Sequence, residues 1–211
     1  CSGWVYGLVA AHGLIALGTS TVLLIGTDTL ARITDWDDRN TAVLFADGSG
    51  ATVLQATEDP ADGGQLLAWD LDADGSAEEL LYCDIGGYMQ MEGREVFRRA
   101  VRIMVDSATA SMGLAGVTAD DVALVVPHQA NTRIISAACD RLGIGLDRAA
   151  IVLDHTGNTS SASIPLALVD ALDAGRIADG DLVLFVGFGA GMTAASAVVR
   201  WRTPPHERTR R

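Results

Sequence analysis

Buried-strand and helix patterns alternate along this chain, and the alternation limits the fold more than any other feature. Residues 122–126 and 182–187 are apolar, β-branched runs of strand length. Residues 92–114 and 131–142 carry helix patterns, the longer with Val96, Ala100, Ile103 and Val105 among its apolar positions. A strand at 151–153, a helix over 160–174 and a strand at 194–201 complete an alternation that predicts layered α/β packing, with sites at strand ends. The earlier part reads as a buried helix over 2–18, apolar on every side, then a strand at 21–26. Strands at 42–46 and 51–56 flank Asp47-Gly48-Ser49-Gly50, a hairpin signal. Residues 58–64 read as a linker, 65–71 as a strand, and the stretch to Asp84 as acidic and irregular. The chain thus divides into 1–58, 59–203 and a loose tail at 204–211. A helix, a strand and a glycine-turned hairpin end both larger parts, which predicts two similar halves, the first missing its beginning.

Composition removes several classes of function. With 211 residues the chain can bury a sizeable core. A net charge of −12 argues against nucleic acid, whose phosphates demand a basic face. All fifteen basic residues are arginines, so Schiff-base chemistry, a pyridoxal anchor and a lysine-dependent phosphate loop are excluded. Cys1, Cys83 and Cys139 have neither metal-ligand spacing nor the even count of a disulfide framework, which points to a reducing cytoplasm. Residues 182–199 lack charge over a length that only just spans a bilayer. Gly187, Gly189 and Gly191 interrupt that stretch in the middle, so it reads as two strands around a glycine turn and not as a membrane span. The chain opens at Cys1 without an initiator methionine, which predicts a segment of something longer.

The chemistry concentrates in VPHQAN (126–131) and HTGNTS (155–160), each placing hydrogen-bonding side chains at the end of an apolar run. Cys1 precedes the first helix, where unpaired N–H groups and the positive end of the dipole favour a thiolate. His128 and Asn158 would supply two donors to nucleophilic thiol chemistry. Each also has a plainer structural reading. Cys1 can be a small buried hydrophobe, His128 a satisfied histidine, and Asn158 an Asx turn capping the next helix. The turn GFGAG (187–191) does not open a helix, so it is no dinucleotide site, yet its glycines let a backbone N–H reach a cavity. Asp70-Leu71-Asp72-Ala73-Asp74-Gly75 imitates a calcium loop but has Leu81 where the bidentate glutamate belongs, so no metal is expected. Arg94, Arg98, Arg99 and Arg102 share a helix, with Arg133 and Arg141 on the next. Residues 58–84 hold nine carboxylates and no base, so basic charge is sorted away from acidic charge and could steer an acidic partner.

Together CSGWVYGL, LFADGSGA, EGREVF, VPHQANTRI, HTGNTSSASIPLAL and GFGAGMT make the chain, from Cys1 to about Arg202, resemble β-ketoacyl-acyl-carrier-protein synthase III. The resemblance implies a thiolase-like α/β/α/β/α fold of two similar halves, the first incomplete. It implies decarboxylating condensation of acyl-coenzyme A with malonyl-acyl-carrier protein, through an acyl-cysteine at Cys1 with His128 and Asn158 as donors. Backbone N–H groups of Cys1 and Ala190 would hold the oxyanion, Ala190 replacing the middle of the family's usual triple glycine. Met91 and Phe97 would line the acyl pocket, Arg39 would contact coenzyme A, and Arg98, Arg133 and Arg141 would dock an acidic carrier protein. No cofactor is implied, acyl-coenzyme A being a substrate, and a cytoplasmic homodimer without membrane or nucleic-acid partners is expected. The alternatives are a relative serving polyketide or other secondary metabolism, and a non-catalytic fragment or partner subunit. Residues 1–211 alone are expected to be inactive and prone to aggregate.

Overall fold

The structure, a computed structural model, describes residues 1–58 and 64–203. Its elements run α1 (Gly3–Ala16), β1 (Thr21–Thr29), β2 (Asp47–Gln55), β3 (Gln65–Ala73), β4 (Leu81–Cys83), β5 (Met89–Met91) and α2 (Gly93–Ala115). There follow β6 (Val122–Pro127), α3 (Thr132–Leu142), α4 (Leu153–Thr156), α5 (Ser163–Asp173), β7 (Leu182–Gly189) and β8 (Thr193–Arg200). Most of the linker expected at 58–64, and all of the tail at 204–211, lie outside the described residues.

A four-stranded sheet of order β3-β8-β7-β6 lies at the centre, with β6 and β7 parallel and the other neighbours antiparallel. All eight residues of β7 are buried because both faces of the sheet are covered. Val183 and Phe185 point to a cluster with Trp4, Leu8, Ile164 and Leu168 from α1 and α5. Leu184, Val186 and Phe188 point the other way, to Ala100, Met104 and Ile134 from α2 and α3. Alternation along one strand therefore serves two cores. On the far side of α1 and α5 lies the antiparallel pair β1–β2, giving the order sheet, helices, sheet, helices. Helix α1 is apolar all round because it is sandwiched in this way. The outward face of β1–β2 bears Leu23, Ile25 and Val53, each more than half exposed.

Two sequence expectations fail here. Residues 42–44 are turn and Phe45 makes only a lone parallel bridge with Asn158, while Asp47-Gly48-Ser49-Gly50 is the start of β2 itself, paired with 26–29 of β1. Its glycines are needed for close approach. A Cβ on Gly50 would stand 2.6 Å from Pro165 Cγ, one on Gly48 2.7 Å from Thr159 Cβ, and one on Gly26 2.6 Å from the Ser161 carbonyl oxygen. Replacing Gly26 or Gly50 by alanine is therefore expected to cost about 1–3 kcal/mol of stability. Gly13→Ala in α1, where nothing lies within 4 Å, should instead gain about 0.5–1 kcal/mol. Chemical denaturation of the three variants separates crowding from helix propensity; equal effects would contradict the packing role.

The other failure is the strand expected at 151–153. Ala149 forms a lone parallel bridge with Val125, Ala150 N–H donates to Val125 C=O (2.8 Å), and Leu153 already begins α4. Pro127 has no N–H with which to continue the ladder. The fully buried Gln129 side chain takes its place. Its amide nitrogen donates to Pro127 C=O (2.8 Å) and Ala150 C=O (3.0 Å), and its oxygen accepts from Val152 N–H (3.0 Å).

Candidate active site

Three chain segments meet at the glycine turn between β7 and β8. Cys1, half-buried, and Ser2, buried, lead into α1, where Ser2 C=O accepts from Val5 and Tyr6 N–H. The Gly3 and Trp4 N–H groups lack intrahelical acceptors, and with the helix dipole they make this end electropositive. Ser2 Oγ and Thr193 Oγ1 are 2.7 Å apart, tying the start of α1 to β8. A Cβ on Gly189 would lie 3.0 Å from the Cys1 backbone nitrogen and 2.8 Å from Thr193 Oγ1. A Cβ on Gly187 would meet Ser2 Cα at 3.7 Å and His128 Cβ at 3.4 Å. Only glycine lets the turn come this near to Cys1. Ala190, the expected oxyanion donor, is exposed in that turn.

His128 follows β6 directly and is 1 % exposed. Its N–H donates to Val186 C=O (2.8 Å), its ring meets Phe188 edge-on with centroids 5.6 Å apart, and Nδ1 lies 2.6 Å from Ser163 Oγ. Burial holds the ring neutral, its pKa well below the ordinary histidine value. Below pH 6.5 the unfolded chain takes up a proton that the folded protein refuses, so stability must fall as the pH drops. The loss expected from this residue is on the order of 1 kcal/mol between pH 7.5 and 5.5. Denaturation curves of wild type and His128→Gln at both pH values test it; parallel losses would show that His128 titrates normally.

Asn158 is also buried, at the turn into α5. Its backbone is paired on both sides with the 44–46 segment, N–H to Leu44 C=O (2.9 Å) and C=O to Ala46 N–H (2.9 Å). Its Oδ1 accepts from Ser160 N–H (3.0 Å), the Asx turn that the sequence allowed. That bond turns the acceptor end of the amide toward its own backbone and leaves the NH₂ end as the available donor. The Asx turn and a donor role are thus compatible. Five residues on, Ser163 touches His128, which closes a circuit from Cys1 through the glycine turn and His128 to the Asn158 turn.

A cavity of about 270 Å³ opens beside this circuit, lined by Leu44, Ala130, Asn131, Arg133, Leu153 and Gly157 among others. Arg133 is thus at its wall, on the first turn of α3, which Asn131 caps through Oδ1 to Arg133 N–H (2.9 Å). Arg141, eight residues along the same helix, lies about 12 Å further on. Arg39 is exposed in the segment that leads to Leu44. Arg98 is exposed and paired to Glu95 (2.8 Å), and Arg99 joins Glu95 (3.0 Å). Met91 packs against the cluster that contains Phe188 and Met192, whereas Phe97 is 37 % exposed and outside it. Asp70 and Asp72 belong to β3, and Asp74 accepts from Ser76 N–H (3.1 Å), so the calcium-like stretch is strand and cap. Among the described residues no group of three potential ligands could hold a metal, and no helix is long and apolar enough to cross a membrane. Of the other thiols, Cys83 is exposed, while burial pushes Cys139 up and makes it unreactive. Gln129 and Ser163 were missed in the sequence. The one available signal was a run of serines opening an otherwise apolar helix.

Comparison with known proteins covers most of the chain. Residues 1–75 match the family described as 3-oxoacyl-[acyl-carrier-protein (ACP)] synthase III, and residues 112–201 match the C-terminal part of the same family. A β-ketoacyl-[acyl-carrier-protein] synthase III of Roseiflexus castenholzii is 46 % identical over 217 residues, covering 95 % of this chain and 65 % of the relative. That of Bacillus cereus is 46 % identical over 202 residues, covering 95 % and 64 %. The solved structure of the Aquifex aeolicus synthase III superposes with a TM-score of 0.91 at 42 % identity, over 95 % of this chain and 65 % of that one. The Pseudomonas aeruginosa structure gives 0.92 at 42 %, over 96 % and 65 %. The chain therefore spans about 65 % of the length of the curated relatives it matches. The layered α/β fold expected from the resemblance is the one observed.

Proposed function

Given that this chain belongs to the 3-oxoacyl-[acyl-carrier-protein] synthase III family, we propose that its protein condenses an acyl-coenzyme A primer with malonyl-acyl-carrier protein through an acyl-cysteine at Cys1. The observation that carries the reading is the packing of Cys1 and Ser2 on Gly189 and Gly187, with His128 against the same turn. In this reading the half-buried Cys1 thiol, at an electropositive helix start, would work with the neutral His128 ring held against the same turn.

In the first half-reaction the Cys1 thiolate attacks the thioester carbonyl. A C–S bond forms, the oxyanion is held by backbone N–H groups of Cys1 and Ala190, and its collapse expels the coenzyme A thiolate. In the second, the malonyl thioester loses carbon dioxide, and the electrons of the broken C–C bond become an enolate. His128 Nε2–H and the Asn158 amide donate to its oxygen, where negative charge develops. The carbanion attacks the acyl-cysteine and returns the thiolate. A neutral histidine suits this step because a donor is required, and burial keeps His128 neutral. Met91 would border the acyl chain from the core side, joined by Phe97. Arg39 would meet the coenzyme A nucleotide, and Arg133, with Arg98 and Arg141, an acidic carrier protein. By resemblance the enzyme is a cytoplasmic homodimer starting fatty-acid synthesis. A priming β-ketosynthase of the R1128 polyketide pathway is 33 % identical with a TM-score of 0.86, below the 42 % of the Aquifex aeolicus and Pseudomonas aeruginosa synthases III, and the fatty-acid reading follows those two.

Incubation of the complete protein with labelled acyl-coenzyme A, followed by peptide mapping, tests the proposal. One acyl group on the Cys1 peptide is expected. Label on Cys83, or on no cysteine, would sink it.

A further inference from the structure

We propose that Ser163 is the positioning residue that sets the tautomer of His128, its hydroxyl donating to Nδ1 so that the ring's single proton stays on Nε2. The inference rests on the condensation reading above and adds the group that prepares His128 for it.

Ser163 is fully buried at the first turn of α5, so its hydroxyl cannot turn to bulk solvent. Its Oγ has two neighbours, Gln129 N at 3.2 Å and His128 Nδ1 at 2.6 Å. A backbone N–H can only donate, so Oγ accepts from Gln129 and its own hydrogen needs an acceptor elsewhere. Helical serines commonly turn that hydrogen to the carbonyl four residues back. Here Thr159 C=O accepts from Ala162 N–H (3.1 Å), and Ser163 Oγ makes no such bond among the described residues. Nδ1 is the remaining acceptor. Were Nδ1 protonated instead, the ring and Gln129 would both donate to Oγ, and a buried hydroxyl hydrogen would be left without a partner, which folded proteins avoid.

The rest of the shell keeps the geometry stiff. Gln129 is pinned through its side chain to Pro127, Ala150 and Val152, so the N–H that fixes Ser163 Oγ cannot drift. The His128 backbone is held by Val186, and its ring is held by Phe188. The imidazole is thus clamped on its Nδ1 side, and the nitrogen opposite is the one presented for chemistry.

Nitrogen NMR of the complete protein with ¹⁵N-histidine, assigned through His128→Gln, reads the tautomer without any turnover. Nδ1 unprotonated and hydrogen-bonded, with Nε2 protonated, is the expected result at neutral pH; a protonated Nδ1 overturns the inference. In Ser163→Ala the Nδ1 resonance should leave its hydrogen-bonded position. Condensation should slow about tenfold, short of the 10²–10³ for losing a donor outright. Acylation of Cys1 should stay within about twofold, and Ser163→Thr should restore the rate. Equal losses in both half-reactions would mark Ser163 as merely structural and overturn the proposal. Failure of the condensation reading looks different: wild type would release no carbon dioxide from malonyl-carrier protein, whatever the tautomer.

Discussion

Cys1→Ala is expected to abolish acyl-enzyme formation and to reduce condensation by about 10⁴-fold or more, the scale seen when the nucleophile of a concerted catalytic unit is removed. Cys1→Ser should be nearly as inactive, because a serine hydroxyl ionises far less readily than a thiol and His128 is placed as a donor and not as a base. The fold should survive either change. Cys1 precedes α1, is only half-buried, and its sulfur belongs to none of the apolar clusters. Its place at the glycine turn is set by backbone packing on Gly189 and by the Ser2–Thr193 bond. Intact-mass measurement after exposure to acyl-coenzyme A checks the chemistry, and a denaturation curve within about 1 kcal/mol of wild type checks the fold. Covalent acylation that persists in Cys1→Ala would end the proposal, since Cys139 is buried and Cys83 stands apart on β4.

Removal of either enolate donor should separate the two half-reactions. His128→Ala and Asn158→Ala are each expected to slow condensation by about 10²–10³, roughly 3–4 kcal/mol, while Cys1 is still acylated. His128→Ala also removes a buried ring that packs on Phe188, so some stability will be lost. His128→Gln, which keeps a donor near the same place, separates the packing effect from the chemical one. Release of carbon dioxide from malonyl-carrier protein and the acylation burst should be followed in parallel. Equal slowing of both would place these residues in general support of the fold. Unchanged decarboxylation would remove them from the mechanism.

Residues 122–126 were legible as a strand because burial on both faces leaves a continuous apolar run, and β6 forms there. The helices at 92–114 and 131–142 were equally plain, since their spacing repeats locally. The same reading failed at 151–153. An apolar run of strand character stops being a strand when its neighbour ends in proline, and only the packed structure shows Gln129 replacing the missing ladder bonds. It failed again at Asp47-Gly48-Ser49-Gly50. A glycine chosen for a turn and one chosen because a distant residue leaves no room for Cβ look identical in one dimension, and Thr159 and Pro165 lie far along the chain.

Cys1, His128 and Asn158 could be selected from the sequence because their residue types and neighbouring runs are local facts. What the tertiary structure alone decided is how those segments face one another: that the glycine turn seats Cys1, that Asn158 spends its oxygen on its own backbone, and that Ser163 holds His128 from behind. The division has a simple cause. Periodicity and residue chemistry are carried by neighbours in the chain, whereas the direction of a hydrogen bond depends on partners that only burial brings within reach.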